Sequence, residues 1–192
     1  MSLLERSIPL LTEEGAEKLN NSSVIVFGVG GVGSWCAEAL ARSGVGRITV
    51  VDGDTVSETN KNRQIIALSS TEGKEKADVC AERLRDINPD CTVESVNLFY
   101  SAETKCEIDL TKFDYIADCI DTVTSKLLLI SSAKELNLPI ISSMGTGNRL
   151  DPSCITVTDI FKTSGDPLAR VMRKECAKRG FKHVKVLFST FV

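Results

Sequence analysis

The stretch from Val24 to Asp54, VIVFGVGGVGSWCAEALARSGVGRITVVDGD, narrows the folds open to this chain more than any other. Val24–Phe27 is an apolar run of the kind a parallel strand buried on both faces requires. It leads into Gly28-Val29-Gly30-Gly31-Val32-Gly33, a helical segment follows to Ser43-Gly44, and a second apolar run, Ile48–Val51, ends at Asp52. Gly28, Gly30 and Gly33 match a strand–turn–helix pattern in which missing side chains permit a tight turn and let phosphate approach the N–H groups of a helix start. Asp52 stands 19 residues beyond Gly33, at a strand end where a carboxylate can hold a ribose hydroxyl pair. The motif and its flanks predict a nucleotide site. Taken alone they leave the nucleotide open, with a nicotinamide dinucleotide as the default.

The chain's 192 residues suit one α/β domain with a sizeable core. We expect a helical lead-in over 1–23, a nucleotide-binding core over 24–148 and a C-terminal extension over 149–192. A net charge of −3 argues against a protein that coats nucleic acid generally, while leaving a local basic patch open. No apolar run approaches the ~20 residues of a membrane span, and the N-terminus lacks a signal-peptide pattern. The seven cysteines include no C-x-x-C pair, so neither a four-cysteine zinc site nor a disulfide framework is expected. A reducing cytoplasm is the expected compartment.

Beyond Asp52 a polar insert, Gly53 to Gln64, occupies the carboxyl end of the sheet, where open α/β folds bind ligands. Asn60, Arg63 and Gln64 have helical spacing, which presents either a polar site face or a capped surface helix. Gly73–Asn88 predicts an amphipathic helix with Ala77, Cys80, Ala81, Leu84 and Ile87 inward. Lys76 falls in its first turn, against the preference of the helix dipole; an anionic ligand would resolve that conflict, and an exposed lysine is the plain alternative. Thr92–Asn97 and Phe113–Cys119 read as strands. Asp121, just past the second, is equally suited to Mg²⁺ or to capping the helix Thr124–Asn137, whose core face is Leu127–Ile130 and Leu136. Pro139–Ser143 is the next strand, closing on Gly145-Thr146-Gly147.

This strand–helix alternation predicts a Rossmann-like, doubly wound, mostly parallel sheet with helices on both faces. After Ser143 the rhythm changes, and Ile155–Ile160, a helix opened by Asp166-Pro167 and a strand at Val184–Phe188 form an extension whose pairing is open to an antiparallel arrangement. Lys162, Arg170, Arg173, Lys174, Lys178, Arg179, Lys182 and Lys185 face only Asp166 and Glu175 in this segment. Behind them Leu168, Val171, Met172 and Cys176 form an apolar stripe. The charges are either a solvated face or an RNA-backbone contact. His183, the lone histidine, reads as a surface residue.

Gly28-x-Gly30-Gly31-x-Gly33, Asp52-x-Asp54, Asn60-x-x-Arg63-Gln64, Lys76 three after Gly73, and Asp118-x-x-Asp121, in that order, resemble the ubiquitin-activating-enzyme-like superfamily. Within it the chain is most similar to the tRNA threonylcarbamoyladenosine dehydratase branch, through GVGSWCAEALARSGVGRITVVD, TNKNRQI, DPSCITVTDIFKTSGDPLAR and VLFST. The resemblance implies a homodimer that binds ATP and Mg²⁺ and adenylates a carboxylate, here the threonylcarbamoyl group on a tRNA adenosine, with dehydration and cyclisation following. It implies an ATP site of Gly28, Gly30, Gly31, Gly33, Asp52, Asp54, Asn60, Arg63, Gln64, Lys76, Asp121 and Thr122. In it Asp52 holds the ribose, Arg63 and Lys76 stabilise the reacting phosphates, Asp121 carries Mg²⁺, and Arg6 reaches the ATP of the partner subunit.

The alternative within the superfamily is an activating enzyme for the C-terminal glycine of a ubiquitin-like sulfur-carrier protein, with a sulfur-relay partner. A nucleotide-binding scaffold and a nicotinamide-dependent oxidoreductase are the readings outside it. Three departures accompany the resemblance. The paired C-x-x-C motifs of the thiamin and molybdopterin branches are absent. Phe191 and Val192 stand where an acidic residue is expected, and because the sequence stops within two or three residues of a strand, a truncated tail is expected. Cys119 is expected to face the core, leaving Cys154 and Cys176 as the open choices for any sulfur carrier.

Overall fold

The computed structural model describes residues 3–147 and 149–190; Phe191 and Val192, where the sequence departs from the expected acidic residue, lie outside them. Its centre is a seven-stranded sheet. The strands are β1 (Ser23–Phe27), β2 (Arg47–Val51), β3 (Thr92–Val96), β4 (Tyr115–Asp118), β5 (Ile140–Ser143), β6 (Ile155–Asp159) and β7 (Lys185–Ser189), arranged β3-β2-β1-β4-β5-β7-β6. Every neighbouring pair is parallel except β6–β7, which is antiparallel. The extension therefore joins the same sheet and closes one edge of it.

The helices are α1 (Ile8–Asn20), α2 (Gly33–Arg42), α3 (Lys76–Ile87), α4 (Val123–Glu135) and α5 (Pro167–Lys178). All of β1 is buried, as its apolar run requires, and its alternating side chains serve two cores. Val24 and Val26 join Ala37, Ala41, Ala77, Ala81 and Leu84 of α2 and α3 on one face; Ile25 and Phe27 join Leu129, Ile130, Met172 and Cys176 of α4 and α5 on the other. Alanines on α2 and α3 keep that layer thin enough for both helices to lie on the sheet.

Several local expectations change. The lead-in is helical as expected but kinks at Thr12 (φ 64°), and Leu10 is 89% exposed, so it does not pack on this chain's core there. Leu136 is exposed because α4 ends at Glu135. Val171 is also exposed, and Ala169 takes the inward place beside Met172 and Cys176. Asp166 caps α5 as its Asp-Pro start predicts, accepting the Ala169 N–H at 3.0 Å.

A candidate nucleotide site at the carboxyl ends of the strands

The strand order reverses between β1 and β4, and a ligand crevice is expected outside the carboxyl ends of strands at such a point. A cavity of about 720 Å³ lies there. Its lining runs from Leu98 and Phe99 beyond β2 and β3, past the glycine loop, to Asp121 after β4 and Met144–Gly147 after β5. The structure thus brings Gly28, Gly30, Gly31, Asp52, Asp54, Asn60, Arg63, Gln64, Lys76, Asp121 and Thr122 to one cavity wall.

Gly33 does not line it. That glycine sits behind the loop, where a Cβ would stand 1.7 Å from the Gly28 carbonyl oxygen. Gly28 itself has φ 81° and lies against the backbone of Cys119. These two glycines are therefore demanded by the fold, whereas Gly30 and Gly31 face the cavity and the side chains of Gln64 and Arg63.

Asp52 is held by the loop it serves. Its Oδ2 accepts the Val29 N–H at 2.8 Å and its Oδ1 the Asp54 N–H at 2.9 Å, which fixes the carboxylate and leaves lone pairs on both oxygens for a diol. The polar insert is not a full helix: a short 3₁₀ turn spans Glu58–Asn60. Asn60 is buried because it closes that turn, its Oδ1 accepting the Ser57 N–H at 3.1 Å. Gln64 is buried beside Gly30, and its Oε1 has no partner among the described residues. Arg63 is exposed. Its guanidinium donates to the Thr59 carbonyl at 3.1 Å and Asn62 Oδ1 at 2.9 Å, while its backbone carbonyl accepts the Trp35 indole N–H at 3.1 Å.

Lys76 is not the exposed surface lysine of the plain alternative. It is 6% exposed at the start of α3, and its Nζ donates to Asp54 Oδ2 at 2.9 Å. Asp54 is the more exposed partner, so an anion entering the cavity can replace a solvated carboxylate on a buried ammonium. Asp121 is exposed, and Thr122, not Asp121, is the N-cap residue of α4. The only hydrogen bond to the Asp121 carboxylate among the described residues is from the Thr122 hydroxyl at 3.4 Å. No cluster of three metal-ligating side chains exists among the described residues. One free carboxylate beside a phosphate site nonetheless fits the way Mg²⁺ is held, by one or two carboxylates, substrate oxygens and water.

Arg6 is placed elsewhere. It is exposed, and its neighbour Leu4 packs on Gly44, which lies between α2 and β2 at the amino ends of the strands. The structure does not bring it to this chain's cavity.

Sequence reasoning missed a buried group beneath the site. Lys126 of α4 is fully buried with its Nζ 3.0 Å from Asp118 Oδ2 and 3.2 Å from the Ser142 hydroxyl, which itself donates to Asp118 at 2.5 Å. Asp118 Oδ1 accepts the Ile120 N–H at 3.2 Å, so the pair shapes the turn that carries Asp121. A lysine that follows Thr124 and Ser125 near a helix start gives no sign of burial; only the nearby Asp118 was visible. The cavity walls Phe99 and Met144 were also missed, since single apolar residues in loops have no periodicity to betray them.

The cysteines are arranged for packing more than for chemistry. Cys119 borders both the core and the cavity. Its hydrogen bond to Cys36, together with burial, pushes its thiol well above the usual range, while the same bond draws Cys36 down. Cys176 is fully buried and Cys154 donates to Asp151 at 3.5 Å; burial corrects the choice of Cys176 as an accessible carrier. His183 is on the surface as expected, 3.7 Å from Asp159.

The family model described as the ThiF family matches residues 4–184. The tRNA threonylcarbamoyladenosine dehydratase of Bacillus subtilis (strain 168) is 48% identical over 178 residues, covering 92% of this chain and 70% of its own length. A crystal structure of the Escherichia coli tRNA N6-threonylcarbamoyladenosine dehydratase in complex with AMP superposes with a TM-score of 0.91 at 39% identity, over 96% of this chain and 78% of that one. The same E. coli enzyme in complex with ATP gives 0.89 at 38%, over 96% and 79%. Against the first bacterial relatives matched, this chain spans 62% to 70% of their length.

Proposed function

This chain belongs to the ThiF family, and from that premise we propose that it is an ATP-dependent adenylating enzyme acting on the threonylcarbamoyl carboxylate of a modified tRNA adenosine. The observation that carries the reading is the buried Lys76 beside the glycine loop, with Arg63 and Asp121 on the same cavity wall. Hydride transfer has no use for two cations and a free carboxylate around a phosphate cradle. Transfer at phosphorus depends on them.

In this reading a carboxylate oxygen attacks the α-phosphorus of ATP, a new P–O bond forms, and the bond to the β-phosphate breaks with departure of pyrophosphate. An internal nucleophile then attacks the activated carbonyl carbon, and AMP leaves with the former carboxylate oxygen, so ring closure amounts to loss of water. Asp52 holds the ribose hydroxyls. Gly28, Gly30 and Gly31 admit the phosphates to the start of α2, with Gly33 supporting the turn from behind. Asn60 and Gln64 contact the phosphates through their amide NH2 groups, the Gln64 Nε2 lying beside Gly30. Arg63 turns from Thr59 and Asn62, and Lys76 from Asp54, to neutralise charge that grows on the phosphate oxygens in the transition state. Thr122 lies beside Asp121, which would hold Mg²⁺; the ion supplies charge neutralisation on the polyphosphate when bound.

Arg6 belongs to the site of a partner subunit in a homodimer, a reading supported by its not lining its own cavity. No helix among the described residues is long and apolar enough to cross a membrane; the cytoplasmic setting of the proposal rests on the tRNA-modifying reading alone. ATP–pyrophosphate exchange tests the proposal. Exchange stimulated by threonylcarbamoyl-tRNA and not by unmodified tRNA is expected. Stimulation only by a small glycine-tailed protein would assign the chain to the sulfur-carrier reading instead.

A further inference from the structure

The cavity accounts for the nucleotide but not for the charge distribution of the extension. Residues 162–185 carry eight Lys or Arg against two acids in a chain whose net charge is −3, so the rest of the molecule carries −9. Such separation is not the mixed surface of an ordinary solvated face. Within the segment Arg173 is committed to the fold, donating to the Thr163 carbonyl at 2.7 Å, and Glu175 takes up Lys178 at 2.6 Å together with Arg179. Lys162, Arg170, Lys174 and Lys182 are exposed, and no described carboxylate lies within ion-pair distance of any of them.

Their placement is directional. Leu168, in the first turn of α5, lines the nucleotide cavity. Arg170, Lys174 and Lys178 follow at four-residue steps, a ridge about 12 Å long on the solvent side of the helix, opposite the buried Ala169, Met172 and Cys176. At the cavity end the Arg149 guanidinium donates to the Gly165 carbonyl at 3.3 Å, just before the α5 cap. Basic residues thus stand at the start of α5, beside its cap, and along its solvent side.

We propose that the exposed ridge of α5, centred on Arg170 and Lys174, docks the phosphate backbone of the RNA whose modified base enters the cavity. The inference rests on the tRNA reading above and names the surface that delivers that substrate. Backbone contacts position a nucleic acid without reading its sequence, so the ridge holds modified and unmodified tRNA alike, and discrimination falls to the cavity.

The test is binding of total tRNA and of threonylcarbamoyl-tRNA to the full chain across a salt series, beside ATP binding, for the native protein, Arg170→Ala/Lys174→Ala, and Lys112→Ala as a control away from α5. The double variant is expected to weaken both tRNAs by about tenfold or more and to lower the log–log salt slope by about 2. ATP affinity and the Lys112→Ala control should stay at the native level. Native-level tRNA binding with an unchanged slope in the double variant would overturn the ridge assignment, leaving the tRNA reading intact and the ridge to an acidic protein surface. A native chain that binds ATP but neither tRNA at any salt would overturn the ridge and the tRNA reading together.

Discussion

Lys126 and Asp118 face each other at 3.0 Å with both side chains at 0% exposure, directly under the turn that leads to Asp121. Two charges that deep are tolerated because Ser142 and the Ile120 N–H complete their hydrogen bonding. Removing one partner leaves the other charge buried and unpaired, which costs ~3–5 kcal/mol. Lys126→Met is therefore expected to lower the unfolding free energy by that amount, read as a lower urea midpoint at unchanged m-value. Lys126→Met combined with Asp118→Leu should recover much of the loss, since no buried charge then remains. A single variant as stable as the native chain would show the pair to be energetically idle.

Gly33 and Gly31 separate a demand of the fold from a demand of the ligand. Alanine at Gly33 would drive its Cβ into the Gly28 carbonyl at 1.7 Å, with the Cys119 Cβ at 3.0 Å, and neither the Gly28 backbone nor a Cβ is the flexible end of a side chain that could yield. Gly33→Ala should cost at least ~3 kcal/mol, in the range of overpacked sites, and abolish ATP binding through collapse of the loop. At Gly31 the nearest atoms are the flexible stem of Arg63 at 3.3 Å. Gly31→Ala should keep a near-native melting temperature while weakening ATP, because the new methyl points at the phosphate space. Calorimetry with an ATP titration distinguishes the two outcomes.

What the amino-acid order makes legible follows from where burial is symmetric. β1, β2, β4 and β5 stand out as short apolar runs because the sheet interior is covered on both faces. The edge strand β6 leaves Ile155, Thr156 and Val157 exposed, so no hydrophobic imprint could decide whether it pairs parallel or antiparallel. The cavity residues identified in advance are those tied to a motif by spacing, from Gly28 to Asp121. Lys126 escaped because its burial is created by Asp118 and Ser142, which are distant in sequence and adjacent only across β4 and β5. Asn60 and Gln64 were identified as polar site residues, yet the 3₁₀ turn that buries them depends on the Ser57–Asn60 hydrogen bond, which helical spacing alone cannot convey.

Acid stability should depend on Glu38. Its carboxylate meets Arg83 Nε at 2.6 Å and Arg42 at 2.8 Å, and the bond to Arg83, chiefly, holds its pKa below the ordinary 4.5. The folded state therefore binds this proton less readily than the unfolded chain, and the stabilisation is fully present above about pH 4.5 and lost as pH falls through the lower folded value. With both arginines half-exposed the screened contribution is about 1 kcal/mol. Glu38→Gln should lower stability by about that much at pH 7 and flatten the acid limb of a stability–pH curve. An acid limb identical to that of the native chain would remove Glu38 from the account.

Lys76 should separate catalysis from nucleotide affinity. In the ligand-free chain its buried ammonium is paired with Asp54, so binding ATP exchanges one anionic partner for another and the ground state gains little from the lysine. The gain grows only as charge builds on the phosphate oxygens, which is where a fixed cation lowers a barrier. Lys76→Met, which keeps the stem and removes the charge, is expected to lower kcat for ATP–pyrophosphate exchange by about 10²–10³-fold, with KM for ATP within about threefold of native. Asp54→Asn gives the opposite profile: it frees Lys76 before ATP arrives, so KM for ATP should fall while kcat holds. A Lys76→Met variant that loses ATP affinity and keeps kcat would recast this lysine as a binding residue alone.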